Sequence, residues 1–393
     1  MISKLPPAPL RGSPVRGQHQ RTGEAGSAVF LDASLAAGLT RRSVLACLAA
    51  SACWPAWGRS AGDELLASWA EAGRYHAGRL SVGAEGARVR SRIELPTRAH
   101  GLALEADGAV LVAARRPGDW LLRWRPEGGE PQWHWVDDDR RLNGHVLPSG
   151  DGHSVWTTET DQADARGLIG LRDARTLEKT GEWATHGMDP HEMLVLPARL
   201  GDIPAGALVV ANGGIPTQSE TGRSHRDLSR MDPSLVALHP TTGALLGQWR
   251  LHDPRLSVRH LAWDPVSRRV GIALQAEHDD EAARRDAPLL ATWDGSALKA
   301  SPPMAGALGY GGDVCARAGG GFWLSATRAN TLLGLAPDGA IAERIALPSA
   351  GALAAQAGHA WAGGAAAVWS DGHRQAWPAA LQIDNHWVSP PRG

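Results

Sequence analysis

Short apolar runs alternate with turn-forming residues along most of this chain, and helical spacing is nowhere sustained. HGLAL at His100 is followed by a turn at Asp107-Gly108 and then by VLVAA. GHVLP around His145 leads through Asp151-Gly152 to SVWTT. PHEMLVLP at His191 leads through a Pro/Gly loop to ALVVANGG, and RHLAWD at His260 leads through Pro265–Arg268 to VGIAL. Runs of this length, bounded by Gly, Pro and Asp, read as strands. The first two intervals of this recurring phrase are about 45 residues and the third is longer. A period of 40–50 residues built from short strands is the pattern of a β-propeller, in which each repeat forms one blade.

The repeats divide the chain into units at His100–Arg141, Gly144–Trp183, His186–Trp249, Val258–Ser301, Leu308–Leu347 and Gly351–Leu381. An N-terminal unit (SWA, YHAGRLSV, ARVRSRIELP) precedes them, and Asp63–Arg74, despite brief helical spacing, leads into its first strand. The expected fold is all-β: a propeller of about seven four-stranded blades occupying residues 62–393 as one domain. Six blades is the alternative, if the N- and C-terminal strands share one. Two insertions interrupt the rhythm. The segment between Ala211 and Pro233 is long and polar and reads as a lid over the central channel; the charged segment between Gln275 and Leu289 reads as a solvated loop.

Composition sharpens this picture. There are 17 Trp against two Tyr and two Phe, which suits wide rings wedged between blades with each indole N–H finding a partner. A net charge of −1, with no basic stripe, argues against a nucleic-acid partner. Residues 1–61 stand apart as a leader plus signal peptide. Thr40-Arg41-Arg42-Ser43-Val44-Leu45 precedes the brief apolar stretch Ala46–Ala52, the pattern of a twin-arginine export signal. That stretch is too short to span a bilayer, so no transmembrane segment is expected. The implied location is the periplasm. Lipid anchoring at Cys53 is the weaker alternative, because Ala50 lacks the bulky apolar residue of a lipobox. Cleavage after Ala61 leaves Cys315 as the sole cysteine and rules out an internal disulfide; a monomer is expected.

The recurring histidines direct attention to the channel. One imidazole at the start of each innermost strand would place His100, His145, His191 and His260 in a common funnel. The cluster Thr185–Glu192 (THGMDPHE) adds His186 and Glu192. Neutral imidazoles with carboxylates hold transition metals such as Fe or Cu, so His100, His145, His186, His191, Glu192 and His260 are the candidate ligands. A structural role is the alternative: in WD-repeat propellers a Gly-His pair near a strand start ties adjacent strands together. Asn212, Gly213 and Gly214 permit close backbone approach to a bound group. Arg259 beside His260, and Arg223 from the lid, would clamp a carboxylate or phosphate, although Arg–carboxylate pairs between blades account for both equally well. Thr157–Asp161 sets two carboxylates at a strand end. No nucleophile elbow, dinucleotide fingerprint, P-loop, haem-attachment motif or EF-hand loop is present, and no residue is assigned a catalytic role.

RGLIGLRDART, THGMDPHEMLVLP, LVVANGGIPTQSETGR, MDPSL and LSVRHLAWD, in that order, resemble the family of domain of unknown function 1513, over roughly Arg98 to Leu347. The shared motifs fall on His145, Glu159, Asp161, His186, His191, Glu192, Asn212, Gly213, Gly214, Arg223, Met231, Pro233, Ser234, Arg259, His260 and Gln275. The lid departs from the family pattern at Ser224–Ser229, and the C-terminal third matches loosely. The resemblance implies a seven-bladed, quinoprotein-like, exported propeller. Similar proteins are encoded beside imelysin-type periplasmic proteins and a di-haem oxidoreductase, which implies an accessory of iron uptake with periplasmic partners. A metal- or quinone-dependent oxidoreductase and a non-catalytic scaffold are the alternatives.

Overall fold

Alternating apolar and polar positions commit each strand to a sheet with two differently packed faces. In a computed structural model of the protein, describing residues 63–390 apart from 84, 217–226 and 378–380, the strands form seven four-stranded antiparallel sheets. In blade 2 the order from the axis outward is Ala99–Leu104, Val110–Ala114, Trp120–Trp124, Gln132–Trp135. The innermost strands of blades 3 to 7 are Arg140–Pro148, Pro190–Val195, Leu256–Asp264, Gly311–Ala316 and Leu353–Gln356. Each touches the next, and the ring closes on itself. The protein is a seven-bladed β-propeller.

Blade 1 is the closure. Asp63–Glu71, Arg74–Gly83 and Gly86–Leu95 are its three outer strands, and its innermost strand, Gln382–Val388, comes from the other end of the chain. The terminal strands therefore do share a blade. The count is still seven, because the strands from Leu353 to Ala376 complete blade 7 by themselves. Asp63–Glu71 is strand throughout, its helical spacing overridden by pairing on both sides.

The core lies between blades. Trp69, Trp120, Trp293 and Trp361 are fully buried there. Trp120 Nε1 donates to Thr97 Oγ1 at 2.7 Å, but the indole nitrogens of Trp69, Trp293 and Trp361 have no hydrogen-bond partner. Trp377 and Trp387 are in the same position, so the expectation that each N–H would be paired fails at five rings among the described residues; burial of the large apolar ring face outweighs one weak donor. Of the insertions, the one after Ala276 carries a short exposed helix, Glu281–Arg285, capped by Asp280. The lid segment lies partly outside the described residues. Residues 1–61, with the twin-arginine motif and Cys53, lie wholly outside them. Among the described residues no helix is long and apolar enough to cross a membrane. Cys315 is buried and free.

Candidate metal centre

A funnel site needs side chains that leave the sheet and turn toward the axis. Bulges provide them: an extra residue breaks the ladder and re-aims its neighbours. Six innermost strands carry one. In blade 2 Ala99 pairs with Ala114 but Leu102 with Val112, extruding His100-Gly101. The register shifts likewise at Asn143-Gly144-His145, His191-Glu192, Arg259-His260, Gly312-Asp313 and Asp384-Asn385-His386. Every bulge carries an imidazole or a carboxylate. Blades 2 and 3 meet through their glycines. A Cβ on Gly101 would lie 2.5 Å from Gly144 O, and one on Gly144, at φ +107°, would lie 2.7 Å from a ring carbon of His100.

The funnel therefore gathers His100, His145, His191, His260 and His386, all buried. Ring centroids stand 4.3 Å apart for His260 and His386, 4.4 Å for His100 and His386, and 4.9 Å for His100 and His145. One ring nitrogen from each of His100, His145, His260 and His386 falls within 4.8 Å of all the others. Tetrahedral coordination at about 2.1 Å sets ligand nitrogens roughly 3.4 Å apart, so each ring would move inward by at most about 0.8 Å. Buried polar atoms without partners are the second indication. His100 Nδ1 and Nε2, His145 Nε2, His386 Nε2, His191 Nδ1 and His260 Nδ1 all lack one. His191 Nε2 and His260 Nε2 lie 2.7 Å apart, so one ring donates to the other and the two hold opposite tautomers.

Carboxylates stand behind two of the rings. Asp313 Oδ2 lies 3.4 Å from His386 Nδ1, and Glu192 Oε1 lies 3.9 Å from His145 Nδ1. In both cases Nε2 is the free atom; the Asp313–His386 pair is the arrangement in which a second-layer carboxylate orients a ligating imidazole, whereas Glu192 stands too far from His145 for a hydrogen bond. Asp313 Oδ2 also accepts from Leu353 N and Glu192 Oε2 from Leu261 N, which fixes both side chains. Burial holds His100, His145, His191 and His260 well below the usual imidazole range, so they are neutral and able to ligate. Burial pulls His386 down too, but the Asp313 charge and hydrogen bond outweigh it and raise the ring. Burial pushes Glu192 up to about 8, Asp313 adding to the rise and His386 opposing it. A cation among these groups would favour the ionised form of Glu192.

The other sequence candidates fall elsewhere. His186 is exposed at the end of Lys179–Met188, the outermost strand of blade 3, while His191 sits on the innermost strand of blade 4. Arg259 is held by Asp189, its Nη1 2.9 Å from Oδ2, and Arg116 pairs with the other oxygen of Asp189. A Cβ on Gly213 would lie 2.7 Å from Asp189 Oδ2 and 2.9 Å from Arg259 Nη1, so the glycine makes room for that pair. Asn212 Nδ2 donates to Thr185 O at 2.8 Å, and Gly214 N to Met188 O at 3.0 Å. Arg223 lies outside the described residues. Glu159 is buried against Arg172 (2.6 Å) and Lys179 (2.9 Å), and Asp161 binds Arg166 (2.6 Å).

Asp313 and His386 had not been expected. The phrase NHWV at the C-terminus repeats the motif of a histidine before an apolar run, and GGDVC repeats it with aspartate. Above the rings lies a cavity of about 30 Å³, bordered by His100, His191, His260, Arg115, Tyr310 and Asn385, among others. A larger hollow of about 1240 Å³ lies elsewhere, along the turns of blades 1 to 3. Its charged groups meet one another, as in Arg123–Glu105 and Arg125–Asp107, and the histidine cluster is not part of it, so the smaller space is the one with chemistry.

Fold and site together define a seven-bladed propeller with a histidine-lined funnel. The chain belongs to the family described as Protein of unknown function (DUF1513), which it matches over residues 93–390; the match includes the closing strand. No curated protein matches the chain. Among solved structures it is similar to virginiamycin B lyase from Staphylococcus aureus (TM-score 0.50, 13% identity, 71% of this chain and 83% of that one). It is also similar to Kuenenia stuttgartiensis hydrazine synthase (TM-score 0.52, 11% identity, 79% of this chain and 92% of that one). At these identities the likeness is one of fold.

Proposed function

We propose that the protein binds one transition-metal ion, such as iron or copper, among His100, His145, His260 and His386. Its role in this reading is that of a periplasmic accessory of iron or other metal acquisition. The observation that carries the reading is the set of converging, buried imidazoles, each with at least one ring nitrogen that has no partner. Imidazole suits Fe, Cu, Zn and Ni, and a bound ion of this kind supplies Lewis-acid or one-electron chemistry. The twin-arginine pattern supports export, and the family resemblance supports the link to iron uptake.

The test is metal analysis of the full-length protein purified from a bacterial periplasm and reconstituted with Fe(II) or Cu(II). The wild type is expected to hold about one ion per chain. His145→Ala, His260→Ala and His386→Ala should lose it while keeping their strand circular dichroism. A wild type that takes up no stoichiometric metal sinks the proposal. The cavity beside the rings supports a second reading, a metal-dependent oxidoreductase, because it leaves one side of the cluster open to a small molecule. Turnover of the metal-loaded protein with an electron acceptor separates enzyme from binder.

A further inference from the structure

The space above the histidines is bordered by a cation whose charge is incompletely met. Arg115 follows the second strand of blade 2 and reaches Asp384 only at 3.4 Å, through Oδ1. Asp384 is already engaged: Arg98 Nη2 donates to that same Oδ1 at 2.8 Å, and Arg98 Nε holds Oδ2. Two guanidiniums therefore share one carboxylate, leaving an excess of one positive charge. That excess borders the same space as His100. Across the cavity is Tyr310, its ring held by the Arg328 guanidinium 4.6 Å from the centroid. A divalent ion beneath an under-neutralised arginine is repelled at short range. The repulsion turns to attraction if an anion sits between them.

Resting on the metal-binding reading, we propose that the cavity seats a small oxyanion of the carboxylate or carbonate class. One of its oxygens faces the metal, and the others take hydrogen bonds from the Arg115 guanidinium and the Tyr310 hydroxyl. The volume fits. About 30 Å³ accommodates roughly two water-sized groups, which is the head of a carboxylate and not a whole sugar or nucleotide. Arginine presents a planar fork to two oxygens at once, and a ligand shared between arginine and metal is bound in one orientation.

The experiment uses the full-length protein loaded with Cu(II), with formate, bicarbonate and azide as probes. Metal stoichiometry is measured first, and anion binding is then followed by the change in the copper electron paramagnetic resonance spectrum. In the wild type each anion should shift the spectrum saturably. Arg115→Gln should keep the copper but weaken anion binding about tenfold or more, the loss expected for one charge-assisted hydrogen bond. Arg115→Lys should recover part of it, and Tyr310→Phe should weaken binding less. Copper bound but no spectral shift, or equal anion affinity in Arg115→Gln, overturns the anion seat and leaves the metal centre standing. No copper bound to the wild type overturns both. Thermal unfolding of each variant shows whether a loss of binding reflects a loss of fold.

Discussion

If the buried histidines exist to bind and not to brace the ring, removing one should make the metal-free protein more stable. His100 offers the cleanest case, because neither of its ring nitrogens has a protein partner and the side chain is 4% exposed. Leucine has a similar volume and no polar atoms, so His100→Leu breaks no hydrogen bond and removes two buried polar groups. Leaving one buried donor or acceptor unsatisfied costs about 1–3 kcal/mol, and Leu adds apolar burial on the same scale. Some of this is lost to imperfect packing against the rings of His145 and His386. A net gain of about 1–3 kcal/mol in the metal-free state is expected, a Tm rise of roughly 1.5–4 °C for a domain of this size. The assay is thermal unfolding at pH 8 with chelator. At that pH an unfolded imidazole, with an ordinary value of 6.5, is mostly neutral and proton linkage drops out. With metal present the order should reverse, since a ligand at a thousand times its Kd stabilises the wild type by about 4 kcal/mol. A metal-free His100→Leu protein less stable than wild type by 1 kcal/mol or more would refute the reasoning and support a bracing role for the ring.

Three further outcomes follow from the geometry. Gly101→Ala places a methyl 2.5 Å from Gly144 O and 3.1 Å from His145 Cα; both are backbone atoms, so chemical denaturation should show a loss of about 1–3 kcal/mol, and metal uptake should fall with it. Glu159→Gln breaks a buried pair with Arg172 and should cost about 3–5 kcal/mol at neutral pH. Burial opposes the Glu159 charge, but Arg172 and Lys179 prevail and hold its pKa below the usual 4.5; its contribution is complete above that value and is lost as pH falls through the lower folded value. The variant should therefore show a shallower acid limb than wild type in unfolding measured from pH 5 downward. His186→Ala, at an exposed position, should change stability by no more than about 0.5 kcal/mol and leave metal stoichiometry untouched, which calorimetry and metal analysis would check.

The blades were legible because strand length, turn chemistry and a period of about 45 residues agree with one another. The funnel was legible for His100, His145, His191 and His260 because their repeated phrase marks a bulge, a feature that turns a side chain toward the axis wherever it recurs. His386 was hidden by topology: its strand lies beyond the last full repeat and completes the first blade. Asp313 was hidden by chemistry, since a carboxylate stands where the other repeats carry imidazole. His186 was misplaced for a third reason. Density along the sequence stands in poorly for density in space when a chain crosses from the rim of one blade to the axis of the next. Thr185 and Asp189 likewise bond to Asn212 and Arg259 and not to the histidines.

A propeller is suited to such a centre for a reason that concerns cost. Burying several polar rings at one point would strain a single sheet, because each unsatisfied nitrogen weakens the element that carries it. Here the burden is divided. Blades 1, 2, 3, 4 and 5 each supply one imidazole and blade 6 supplies Asp313, while each blade keeps its own apolar faces between neighbours. The bulges confine the ladder disruption to the innermost strands, and the closing strand ties His386 of the last segment to the first blade. Apart from the His191–His260 hydrogen bond, the imidazoles are held together by ring closure, and each keeps at least one ring nitrogen without a partner. Cutting the chain before Gln382 tests this directly. It removes the innermost strand of blade 1, exposes Trp69 and the inner edge of Asp63–Glu71, and takes away one of the four proposed ligands. Loss of metal together with loss of a single cooperative urea transition is the expected result. A truncated chain that unfolds as cooperatively as the full one, and still binds the ion, would show that the centre does not depend on closure.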